Sequence, residues 1–150
     1  ATAITKRFLK LYKKFPTPKQ VFNTSDKKLK DTGISGTKIN YIKGLSKQII
    51  QNEINFRKIS KLKDEQVIEE LTKIKGIGNW TAQIYLMFCL ERKDVFPVGD
   101  LGIQKGIRDL FSLKELPNAK TMEKYSARWK PNRSIACWYI WKSQRINSIG

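Results

Sequence analysis

Apolar positions recur three and four residues apart along almost the whole 150-residue chain, a spacing that predicts helices rather than strands. Ile4, Phe8, Leu11 and Phe15 share one face of a first helix, which Pro16 and Pro18 should stop. Thr17 is placed to cap a short helix opened by Pro18 and carrying Val21 and Phe22. Ser25 is placed to cap another, which holds Leu29 and ends at Gly33. Ile39, Ile42, Leu45 and Ile49 mark a longer helix over about residues 37–51. After a loop, Asp64 begins a helix bearing Val67, Ile68 and Leu71, and Lys75-Gly76-Ile77-Gly78 breaks it. An apolar-rich helix then runs over about residues 79–90. The segment 94–99, with Pro97 and Gly99, reads as a loop. Leu101, Ile107, Leu110 and Phe111 mark the next helix, and another is capped near Thr121. Pro131 suits the first position of a last helix carrying Ile135, Trp138, Tyr139 and Trp141. With no alternating strand, repeat or long linker, the pattern predicts one all-α domain over residues 1–150.

Composition narrows the class. A 40% hydrophobic share is ordinary for a globular chain and argues against disorder. No apolar run approaches the roughly 18 residues of a membrane span, so a soluble protein with no membrane partner is expected. The basic start (Lys6, Arg7, Lys10) leads into no signal-like apolar core, and nothing marks the chain for export. The chain has two cysteines and no histidine, which excludes a four-Cys iron–sulfur cluster and a His/Cys zinc site. It excludes Ser-His and Cys-His catalysis too, leaving carboxylates, Lys or Tyr. Cys89 and Cys137 sit in apolar stretches and read as buried small hydrophobes. Thirty Lys and Arg against thirteen Asp and Glu give +17, which points to a polyanion and to nucleic acid before membrane.

The stretch Leu71-Thr72-Lys73-Ile74-Lys75-Gly76-Ile77-Gly78-Asn79-Trp80-Thr81-Ala82 carries the most specific signal. Two glycines around one apolar residue, between amphipathic helices, suit a tight turn with little side-chain bulk. The N-terminus of the following helix favours an anionic phosphate. By itself, the same pattern fits a plain helical hairpin with glycine caps. Further on, Phe96-Pro97-Val98-Gly99-Asp100-Leu101-Gly102 sets a carboxylate at or near a helix N-cap, where backbone N–H groups can donate to it. Arg128-Trp129-Lys130-Pro131-Asn132-Arg133-Ser134-Ile135-Ala136, followed by Trp138 to Trp141, forms a third block. Phe15-Pro16-Thr17-Pro18, with Ser25-Asp26, Gly33 and Lys38, forms a fourth.

These four ordered blocks resemble the helix-hairpin-helix (HhH-GPD) DNA glycosylases, and within them the 3-methyladenine DNA glycosylase II group. The resemblance implies an all-α helix-hairpin-helix core and hydrolysis of the bond between deoxyribose and an alkylated purine in base excision repair. It implies a partner, double-stranded DNA with damaged bases, and an intracellular, DNA-associated monomer. Asp100 is then the catalytic carboxylate, because cleavage builds positive charge on the sugar. Trp80 and Trp141 match the group's pocket tryptophans, which would hold a flipped cationic base. Trp138 and Tyr139 are weaker candidates, and Ile84 stands where some relatives carry an aromatic. Lys75, Gly76, Gly78, Asn79 and Thr81 would contact DNA at the hairpin. The main-chain carbonyls of Thr72, Ile74 and Ile77 match a site for a monovalent cation (Na or K); no other cofactor is implied. Relatives that also cut the strand carry a Lys just after the hairpin glycine, where this chain has Trp80, so no lyase step is expected from Lys73 or Lys75. Asp94 and Asp109 read as solvated surface charges. Relatives also carry a Gln-rich loop before the first helix, and this chain starts at Ala1 inside what resembles that helix, so the domain's N-terminal part is expected to be missing. A non-catalytic hairpin module that only grips DNA is the alternative; it needs neither Asp100 nor the two tryptophans.

Overall fold

Every regular element among the described residues, 2–147 of this computed structural model, is helical, as the apolar spacing predicts. Ala1, read above as part of the first helix, lies outside the described residues. The chain divides into two compact units, Ala1–Gly76 and Ile77–Gly150.

The first unit holds α1 (Thr2–Lys10), α2 (Pro18–Asn23), α3 (Asp26–Asp31), α4 (Gly36–Ile50), α5 (Phe56–Ile59) and α6 (Asp64–Thr72). Thr17 caps α2 through a reciprocal box: its Oγ1 accepts from the Gln20 N–H, and Gln20 Oε1 accepts from the Thr17 N–H. Ser25 and Ser35 cap α3 and α4 more simply, each hydroxyl accepting one backbone N–H, from Lys28 and Lys38. α4 packs against α2 and α3, burying Val21, Leu29 and Ile39. Ile59, Val67 and Leu71 bury where α5 meets α6. α5 falls in a stretch that the apolar pattern leaves as loop.

α1 is shorter than its apolar stripe suggests. Leu11 and Tyr12 donate to carbonyls only three residues back, which tightens and ends the helix at Lys10. The Tyr12 hydroxyl then meets Thr24 Oγ1 at 2.9 Å, a tertiary bond that draws the chain off the helical path. Phe15, read as part of that face, is 83% exposed.

The second unit holds α7 (Asn79–Phe88), α8 (Leu101–Leu110), α9 (Ala119–Ser126), a 3-10 turn (Ala127–Trp129) and α10 (Arg133–Asn147). α8 packs on α10 around Ile103, Ile107 and Cys137, all fully buried. Burying one such isoleucine stabilises by about 1.5–3 kcal/mol. Gly106 permits the approach, since a Cβ there would overlap the Ile140 side chain. α9 is capped by Asn118, whose Oδ1 accepts from the Thr121 N–H, so Thr121 lies one turn inside. Pro131 does not open α10. It sits in a turn after a cis Lys130–Pro131 bond, and the helix begins at Arg133, whose N–H donates to Asp94 Oδ1 at 3.3 Å.

Candidate active site

Asp100 sits at the N-terminus of α8 because the preceding loop turns there. Its N–H bonds the Pro97 carbonyl at 2.9 Å, and Val95, Phe96 and Pro97 are buried. Gln104 Nε2 donates back to the Val98 carbonyl at 2.9 Å and holds the loop against α8. As N-cap, Asp100 accepts the Ile103 N–H on Oδ1 at 2.8 Å, a contact typically worth ~1 kcal/mol. Two indoles complete the shell: Trp141 Nε1 donates to Oδ1 at 2.9 Å, and Trp80 Nε1 donates to Oδ2 at 2.6 Å. Asp100 is only 9% exposed. A buried carboxylate is tolerated when hydrogen bonds replace water. All three donors are neutral, so the carboxylate is desolvated without being neutralised.

The structure thus brings Asp100, Trp80 and Trp141 together within the second unit. Trp80, the second residue of α7, is 51% exposed and is not core packing. Its N–H is anchored on Asp100 while half its surface faces out. Trp141 is half-buried, and its ring stacks with Phe88 at a centroid distance of 6.1 Å and an interplanar angle of 26°. Phe88 was not among the expected site residues, although it follows Trp80 by two turns of α7 with Ile84 between them, a spacing that keeps all three on one side. Gly102 is the other addition. A Cβ there would stand 3.1 Å from both Asp100 Oδ1 and Trp141 Cδ1, so a side chain would crowd the bond between them. Trp138 and Tyr139 form an exposed edge-to-face pair at 5.1 Å and donate no hydrogen bond to Asp100. With Met87, Phe88 and Ile135 they line a cavity of about 390 Å³.

Two expectations about polar residues change. Cys89 is exposed at the end of α7, where the helix terminates before the apolar run does; only Cys137 is buried. Burial, reinforced by the charge of Asp100, pushes the Cys137 thiol up to about 12. It is therefore no nucleophile. Asp94 is no solvated surface charge. Arg133 donates to both its carboxylate oxygens, at 2.7 and 3.0 Å, and holds its carboxyl below the ordinary range. Asp109 does stay at the surface, bonded by Arg108 and Gln144.

The glycine turn divides between the two units. On the first side, Gly76 has φ +94°, and a Cβ there would overlap the Tyr41 ring, so both conformation and packing demand glycine. Lys75 is exposed, and Lys73 pairs with Glu70 at 2.6 Å, a hydrogen bond that raises its ammonium above the usual range. On the second side, Gly78 has φ −96° and open space where a Cβ would stand. It offers α7 no side-chain cap, and Asn79 and Thr81 beside it are exposed. The amides of that first turn are accessible to an anion. The carbonyls of Thr72, Ile74 and Ile77 accept none of the turn's backbone hydrogen bonds among the described residues.

Residues 1–132 match the HhH-GPD superfamily of base excision DNA repair proteins. The chain belongs to that superfamily. It is 36% identical over 149 residues to DNA-3-methyladenine glycosylase 1 of Schizosaccharomyces pombe, covering 97% of this chain and 65% of that protein. The structure of the Schizosaccharomyces pombe 3-methyladenine DNA glycosylase in complex with abasic DNA superposes with a TM-score of 0.89 at 35% identity, covering 96% of this chain and 71% of that one. A DNA-3-methyladenine glycosidase from Bacillus halodurans superposes with a TM-score of 0.76 at 36% identity, covering 95% and 66%. The chain thus spans about two-thirds of the length of these relatives and under half of a further relative from Bacillus subtilis, of which it covers 45%. The superfamily match ends at residue 132, before Trp141, so the tie between Trp141 and Asp100 comes from the geometry.

Proposed function

We propose that this chain is the catalytic core of a monofunctional DNA glycosylase that hydrolyses the N-glycosidic bond of ring-alkylated purines in duplex DNA. The observation that carries this reading is the Asp100 shell of two indoles and one amide. As the C1′–N bond breaks, its electron pair leaves with the base and positive charge grows on the sugar. A desolvated, un-neutralised carboxylate stabilises that charge strongly. Water then adds at C1′ and gives up a proton to Asp100 or solvent.

The same shell supports the substrate class. None of the three donors on Asp100 is titratable, so none of them can hand a proton to a leaving base. A neutral purine needs a proton before it leaves; a purine alkylated on a ring nitrogen is already cationic and departs neutral. The exposed Trp80 face, with Phe88 and Trp141 stacked nearby, offers electron-rich walls to such a cation. Lys75, Gly76, Gly78, Asn79 and Thr81 would meet the DNA backbone, the open Gly78 leaving room for a phosphate at α7. The carbonyls of Thr72, Ile74 and Ile77 would hold a monovalent cation, which would supply positive charge toward DNA. The partner in this reading is damaged DNA, which places the protein inside the cell.

A panel of duplexes carrying single alkylated or deaminated bases, assayed for release of the free base, tests the reading. Release from methylated purines, leaving an intact abasic strand, is expected. Tight duplex binding with no release from any of them would assign the chain to a non-catalytic hairpin module.

A further inference from the structure

Asp100 and Trp141 stand on different segments, and a second set of bonds joins those same segments some distance away. The loop before α8 and the first turn of α10 meet at residues 92–95 and 133–134. Arg133 Nε and Nη2 take the two Asp94 oxygens, and Nη2 also bonds the Asp94 carbonyl at 3.0 Å. Asp94 Oδ1 returns a cap to the Arg133 N–H. Ser134 Oγ donates to the Arg92 carbonyl at 2.7 Å and accepts the Val95 N–H at 3.0 Å, while its own N–H bonds the Lys93 carbonyl at 2.9 Å. The loop thereby decides where α10 begins.

We infer that the Asp94–Arg133 pair, with Ser134, is a positioning device that sets Asp100 in register with Trp141 for base release. Trp141 lies eight residues beyond Arg133 on one helix, a rigid offset of about 12 Å. Asp100 lies six residues beyond Asp94, with the buried Val95–Pro97 stretch between. With one end of each segment clasped, the far ends meet at one separation, and a 2.9 Å bond from Trp141 to Asp100 forms there. Without the clasp, α10 can slide or rotate against the loop, and displacements near 1 Å at a reacting group carry large rate penalties. Arg133 also reaches Glu123 at 3.4 Å, which steadies the guanidinium from the side of α9.

The inference rests on Asp100 being the catalytic carboxylate, and its test separates the two ideas. The indole N–H signals of Trp80 and Trp141 are followed by NMR in the parent, in Asp94→Ala and in Asp94→Asn, with base release at saturating DNA and affinity for abasic DNA measured alongside. Asp94→Ala is expected to shift both indole signals and slow release at least about tenfold, with affinity unchanged within about twofold. Asp94→Asn keeps an oxygen to cap the Arg133 N–H and should recover much of the rate. If Asp94→Ala fails to fold, the asparagine variant alone should show a smaller shift and a smaller loss. Indole signals unmoved in a folded variant overturn the inference, as does an unchanged rate where the parent is active. A parent that releases no base removes the catalytic reading of Asp100, and the indole signals then decide the clasp by themselves.

Discussion

Trp80 reaches Asp100 across twenty residues of chain, its indole nitrogen 2.6 Å from Oδ2, while half its surface remains open. One side chain thus fixes the carboxylate and keeps half its own surface open. Asp100→Asn keeps the cap on the Ile103 N–H, since asparagine caps as well as aspartate. It loses the charge and sets an amide against an indole donor. Base release should fall by about 10²–10³, the range for removing one group that stabilises transition-state charge. Binding to abasic duplex should change less than about threefold, because phosphate contacts supply most of the affinity. Single-turnover release with a parallel binding titration checks both.

The two hairpin glycines should separate fold from binding. Gly76→Ala places a side chain at φ +94° and onto Tyr41. The left-handed conformation alone costs about 1–2 kcal/mol, and the overlap adds to it. Thermal unfolding should drop by at least about 4 °C. Gly78→Ala meets open space, so its melting temperature should hold. Its duplex affinity should fall about tenfold, the scale of one hydrogen bond to a charged group. A folded Gly78→Ala protein with parental affinity would remove this turn from the interface.

The sequence is informative where local chemistry acts alone. Thr17, Ser25 and Asp100 cap helices because a short polar side chain reaches only its own next turn. The spacing of Ile39 and Ile42 marks α4 because one face meets α2. It is silent where partners are far apart in the chain. Nothing at Asp94 announces Arg133, 39 residues on, so a loop carboxylate looks solvated. Phe88 stacks on Trp141, and Gly102 lies against Trp141 as well as Asp100; the Trp141 contacts form only when α10 brings that residue back. Phe15 continues an apolar stripe that the Tyr12–Thr24 bond interrupts.

Stability should fall in acid partly through Asp94. Arg133 lowers its folded-state value, so its contribution is whole above the unfolded value of about 3.9 and is lost as pH falls through the lower folded value. The stability gap between the parent and Asp94→Asn should therefore stay constant from pH 8 to about 5 and narrow below about 4. Urea midpoints across that range measure it. A gap that closes already near pH 6 would mean that another group controls the pair.

The two thiols should differ sharply. Cys89 is exposed, whereas Cys137 is fully buried with its thiol pushed up to about 12. The thiolate is the reactive form. An aromatic disulfide reagent at pH 8 should therefore consume one equivalent in the native protein and a second only on unfolding. Blocking Cys89 should leave the unfolding transition in place. Rapid reaction of both thiols in the folded protein would contradict the burial of Cys137 between α8 and α10.

Turnover should leave an intact abasic strand without any covalent intermediate. A lyase step requires a neutral amine to attack C1′ and form a Schiff base. Lys73 is poorly suited, since its bond to Glu70 stabilises the ammonium. Trp80, two residues after Gly78, carries no amine, and its indole N–H donates to Asp100. Water is the nucleophile this reading expects. Borohydride added during turnover reduces any Schiff base to a stable protein–DNA adduct, visible as a slower band on a denaturing gel. No adduct is expected with the parent protein, and alkali should be needed to break the strand. An adduct that disappears in Lys73→Gln or Lys75→Gln would make the enzyme bifunctional and name the lysine responsible.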